Sequence, residues 1–98
     1  MVFNNLEKES MNKPLDNITH EVFLKLMEHL KNLQEFTFLE YMMAPEADIF
    51  YFNFMEKIVK IKWDLDYGLS LETKSLSTSD KDLFLNILHK EILSLENQ

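Results

Sequence analysis

The chain has 98 residues, a formal net charge of −7, 46% apolar residues, one Gly, two Pro and no Cys. That is the size of one domain, too short for a TIM barrel or for a dinucleotide-binding half joined to a substrate domain, and too apolar for a disordered segment. The absence of Cys excludes disulfides, thiolate zinc sites and cysteine nucleophiles, and every basic residue is a lysine, so the guanidinium fork that grips phosphates and guanine edges is missing.

With the acidic balance, that lack of Arg argues against a nucleic-acid partner and for a protein partner that is basic or neutral. No apolar run approaches the ~18 residues of a membrane span, and the opening residues lack the basic-then-apolar order of a signal peptide. The expectation is a cytoplasmic protein without a membrane contact.

Residues 1–15 read as an N-terminal tail, with Val2, Phe3 and Leu6 available to dock on the body and Pro14 blocking a continuous helix. Residues 16–98 read as a single α+β domain. Over 19–34, Val22, Phe23, Leu26, Met27, Leu30 and Leu33 recur in steps of one, three and four, which makes one helical stripe. Thr19 suits the N-cap, with Ile18 and Phe23 as a hydrophobic staple.

The period then drops to two. A strand is predicted between Phe36 and Met43, a break over 44–48, and a second strand over 49–55 with Phe50, Phe52 and Phe54 on one face. Glu56-Lys57 would be a tight turn into a strand over 58–65, where Val59, Ile61, Trp63 and Leu65 alternate with Lys60, Lys62 and Asp64. Asp66-Tyr67-Gly68 reads as a three-residue loop with Gly68 left-handed, before a last strand over 69–75. These turns set Phe54 opposite Val59, Phe52 opposite Ile61 and Phe50 opposite Trp63. They also set Leu65 opposite Leu69, Trp63 opposite Leu71, and Lys62 opposite Glu72 as an ion pair. Ser79 with Asp82 resembles a capping box for a helix over 80–95, with Leu83, Phe84, Ile87, Leu88, Ile92 and Leu95 as its buried stripe.

The order α-β-β-β-β-α predicts a two-layer α+β sandwich: a four-stranded antiparallel meander with two helices on one face. The first strand has two registers. One turns Phe38, Glu40 and Met42 outward, the other Leu39, Tyr41 and Met43; a four-residue loop favours the first, because it takes Glu40 out of the core.

Chemistry-bearing patterns are sparse. His20, His29 and His89 have no metal-ligand spacing, and a single glycine rules out phosphate-binding loops and the nucleophile elbow. Asp64 and Asp66 straddle a hairpin tip with nothing placed to complete a cation's shell. Glu40 in an apolar strand fits a general acid in a pocket, but fits an edge residue facing solvent better. No catalytic residue, metal or cofactor is therefore expected.

What remains is surface. Tyr51, Ile49, Met55, Glu40, Met42, Asp64, Asp66 and Glu72 are the candidate partner-binding residues, the carboxylates to steer association and the aromatic and aliphatic groups to supply affinity. The profile is similar to that of small inhibitor, immunity and secretion-chaperone proteins, a class analogy that carries over no residue. The reading is a non-enzymatic protein-binding module that caps a partner. The alternative is a homodimeric structural or chaperone-like protein, paired through the strand between Phe36 and Met43, which has no Lys or Pro to protect its edge.

Overall fold

The computed structural model describes residues 18–96; the tail read over 1–15 lies outside them. The chain runs α1 (His20–Lys31), β1 (Phe36–Ala44), β2 (Ala47–Phe54), β3 (Lys57–Asp64), β4 (Gly68–Glu72) and α2 (Thr78–Glu96). The sheet is an antiparallel meander in the order β1-β2-β3-β4, as the alternation predicts.

Both helices pack on one face because the three phenylalanines of β2, Phe50, Phe52 and Phe54, all point that way. Phe50 meets Phe23 of α1 edge-on at 5.6 Å, and Phe54 meets Phe84 of α2 at 5.5 Å. Phe36 of β1 closes the cluster against Phe54, Phe52 and Phe84. Every buried residue among those described is apolar, and Phe23, Phe52, Phe54 and Phe84 are wholly enclosed. Burial of each such ring is worth roughly 1.5–3 kcal/mol, so this cluster is the main source of cohesion.

Thr19 caps α1 as predicted, its Oγ1 accepting from Val22 N at 3.2 Å, and Ile18 packs on the core. The helix stops three residues earlier than the periodicity suggests. Asn32 ends it, its Nδ2 donating to Glu28 O at 3.0 Å while its backbone N–H turns back to His29 O. The cap of α2 is Ser77 rather than Ser79: Ser77 Oγ accepts from Asp80 N at 3.2 Å and puts Asp80 in the first turn. Of the expected stripe on α2, Leu83 is 41% exposed, while Phe84, Leu88 and Ile92, four apart, are buried. His29 of α1 and Glu91 of α2 join the helices, Nδ1 to Oε1 at 3.2 Å.

The hairpins keep the predicted faces but slip by two residues. Met55-Glu56, not Glu56-Lys57, forms the β2–β3 turn, with positive φ at both (54° and 64°), the primed geometry that suits the twist of the strands. Phe52 therefore faces Val59, Phe50 faces Ile61, and Trp63 faces Asp48. The β3–β4 loop is Leu65-Asp66-Tyr67, with Gly68 left-handed at φ 75° as expected but inside β4. Trp63 then pairs with Leu69 and Ile61 with Leu71, and Leu65 leaves the core, 67% exposed. The cross-strand ion pair is Lys60–Glu72 at 3.7 Å, not Lys62–Glu72. A slip of two preserves side-chain parity, which explains why the faces survive the change.

In β1 the two predicted registers both occur. A bulge between Phe38 and Glu40 switches the parity: Phe36 and Phe38 pair with Phe54 and Phe52, and beyond the bulge Tyr41 pairs with Phe50. Glu40 and Met42 pair with Tyr51 and Ile49 on the opposite face. The connection to β2 is the two-residue turn Pro45-Glu46, not a four-residue loop. The bulge, rather than loop length, removes Glu40 from the core.

Glu56 holds a left-handed conformation that costs an L-residue roughly 1–2 kcal/mol relative to glycine. Glu56→Gly is expected to stabilise the chain by about 1 kcal/mol in urea denaturation, whereas Phe52→Ala should cost about 3–5 kcal/mol. A destabilised Glu56→Gly would contradict the turn assignment.

Candidate protein-interaction surface

The face of the sheet away from the helices carries most of the expected binding residues in straight rows. Glu40, Tyr51, Lys60 and Glu72 lie side by side across all four strands. The adjacent row is Met42, Ile49, Lys62 and Ser70. Tyr51 and Ile49 are half-buried among their neighbours, and Met42 is 44% exposed. Glu72 is shared by Lys60 at 3.7 Å and Lys74 at 3.9 Å, so its charge is largely neutralised on this face. A shallow hollow of about 520 Å³ lies beside Tyr51, walled by Ile58, Lys60, Glu72, Lys74 and Ser75.

Three expected residues stand apart from these rows. Met55 sits in the β2–β3 turn instead of on the face. Asp64 and Asp66 sit at the opposite end of the sheet, where Asp64 Oδ1 accepts from Asp66 N at 2.8 Å and Tyr67 N at 3.1 Å. Asp64 is thus the brace of its own loop, an Asx turn.

The face runs into an apolar edge. β1 is the outer strand, and Phe38, Leu39, Tyr41, Met42 and Met43 are all exposed, from 37% to 76%. Lys31 covers part of it, its ammonium 4.5 Å above the Phe38 ring.

The sequence reading missed a polar cluster on the helix side. Asp48 accepts a hydrogen bond from Tyr41 Oη, and His20 Nε2 lies 2.5 Å from its other oxygen. The His20 ring stacks on Trp63 at 4.5 Å. These contacts tie the first residue of α1 to β1, β2 and β3. The hydrogen bond from the Tyr41 phenol holds the Asp48 carboxyl below the ordinary aspartate range; burial opposes it, and His20 adds to the lowering through its hydrogen bond and its charge. The hydrogen bond to Asp48 holds the Tyr41 phenol above its ordinary range. Trp63 Nε1 is buried without an acceptor among the described residues. A carboxylate orienting an imidazole is a motif of proton transfer, but among the described residues no Ser, Thr, Cys or Lys lines the adjoining cleft to serve as nucleophile. Among the described residues no three His, Cys, Asp or Glu are grouped to hold a metal ion, and no helix is long and apolar enough to cross a membrane. The cluster was hidden because its partners are 28 and 7 residues apart and meet only once α1 lands on the sheet.

Because the folded Asp48 carboxyl is the stronger acid, its contribution to stability is present above the ordinary aspartate range and is lost as pH falls through the folded value. The stability gap between the wild type and Asp48→Asn should therefore narrow as the pH is lowered from about 6 to about 3. A gap constant over that range, measured by urea denaturation, would contradict the assignment. Comparison with protein-family models, with curated proteins and with solved structures finds no match to this chain.

Proposed function

We propose that the chain is a small acidic, non-enzymatic protein-binding module of the inhibitor or immunity type, acting in the cytoplasm by capping a protein partner with its sheet. The observation that carries this reading is the band of exposed Phe38, Leu39, Tyr41, Met42 and Met43 along the outer strand. That band is continuous, through Met42 and Ile49, with Tyr51 on the open face. Aromatic and Met side chains at the centre of such a patch supply most of the affinity in protein interfaces, and contiguous exposed apolar area marks them. The net charge of −7 favours a partner more basic than the chain itself.

A second reading rests on the same strand. β1 has nine residues, no Lys or Pro up to Met43, and no strand on its outer side among the described residues. Such an edge supports antiparallel pairing with a second copy.

For the capping reading, a partner captured from host lysate and then purified should bind more weakly as salt rises. It should lose about tenfold or more in affinity with Tyr51→Ala, but not with Leu83→Ala on the far side of α2. Equal affinities for both variants would overturn it. For the second reading, light scattering should show a dimer that Leu39→Lys converts to monomer; a monomeric wild type at tens of micromolar would remove it.

A further inference from the structure

Three large apolar side chains stand further into solvent than any others among the described residues: Tyr67 at 89% exposed, Met43 at 76% and Leu65 at 67%. All three lie at one end of the sheet, where β1 turns into β2 and β3 into β4. Leu65 N donates to Glu46 O at 2.9 Å and fastens the two turns together. Beside them lies a cleft of about 350 Å³ whose apolar walls are Met43, Pro45, Trp63 and Leu65. Its shape is held from behind by the His20–Trp63 stack, and its tip by the Asp64 brace and by Gly68. Apolar groups are thus presented on braced turns, an arrangement that lowers the ordering cost of binding.

Acidic side chains outnumber basic ones at this end, where His20 meets Asp48 and Lys62 approaches Asp64. Glu46, Asp48, Asp64 and Asp66 are gathered here, and of the described lysines only Lys62 reaches one of them, 3.9 Å from Asp64. The carboxylates of Glu46 and Asp66 meet no base among the described residues. Lys57 and Lys60 lie towards the other end of β3. A second copy docking here would bring like charges together, and an anionic lipid surface would be repelled.

We propose that this end of the sheet is a docking site for a basic segment of a protein partner that carries an apolar anchor. The anchor, an aliphatic or aromatic side chain, enters the cleft between Met43 and Leu65. Lysine or arginine residues beside it meet Glu46 and Asp66. The inference deepens the binding-module reading and rests on it for its biological sense, but it concerns a surface that excludes Tyr51 and shares only Met43 with the exposed band of β1.

The test is a titration of the isotope-labelled full chain, followed by amide shifts. The probe is a short synthetic peptide with a central Phe flanked by lysines; the control replaces the lysines with glutamates. Saturable shifts confined to residues 43–48 and 64–67 are expected with the lysine peptide alone, with an affinity that falls as salt rises. Glu46→Gln with Asp66→Asn should weaken binding about tenfold, equivalent to about 1.4 kcal/mol. Both side chains are exposed and form no hydrogen bond among the described residues, so the variant keeps its fold. Leu65→Ser should weaken binding by itself. Absence of shifts at this end, equal binding of the glutamate peptide, or undiminished affinity in the double variant would overturn the proposal. Loss of partner binding with Tyr51→Ala tests the module reading separately, since Tyr51 is remote from this cleft.

Discussion

Three phenylalanines at alternate positions of β2 hold the architecture together. Phe50, Phe52 and Phe54 point to one side of the sheet, and each helix brings a ring to meet them, Phe23 from α1 and Phe84 from α2. With no polar residue among the buried ones described, the core has only shape and area to work with. A two-layer fold leaves the other sheet face without a covering layer among the described residues. The open face follows from the same geometry that builds the core.

β1 shows how a single bulge reconciles conflicting demands. Its first half must bury Phe36 beside Phe54, and its second half places Tyr41 over Phe50 and within reach of Asp48. A strand with strict alternation would put one of these aromatic residues on the wrong side. The bulge after Phe38 lets both face the helices and leaves Glu40 and Met42 outside. It also bends an edge that would otherwise be a flat template for pairing, which bears on whether a second copy or a different protein covers it.

The protein offers two kinds of surface. The open face and the β1 edge are aromatic and nearly balanced in charge, since Lys60 and Lys74 answer Glu72. The end of the sheet is acidic and carries the most exposed apolar tips. The first suits affinity through buried area, the second steering and recognition of a cationic segment. The His20–Asp48–Tyr41 cluster stands at the boundary between helix layer and sheet end, so it fixes the wall of the cleft while fastening α1.

The sequence by itself determined the element order, the faces of β2, β3 and β4 and the stripe on α1, because periods of 3.6 and 2 are local properties of the chain. It also marked Gly68 as left-handed, since no other residue of that loop adopts the conformation at so little cost. Tertiary structure decided the hairpin registers, because a slip of two leaves the hydrophobic pattern unchanged and only the turn geometry of Met55-Glu56 and the Asp64 brace selects among them. It decided the parity switch in β1, where core packing on both sides of Leu39 outweighs regular pairing. Acidic residues spread evenly along the chain converge at one end of the sheet only after two turns are brought side by side. The meeting of His20 with Asp48 likewise depends on where a helix lands, a long-range property that no local pattern encodes.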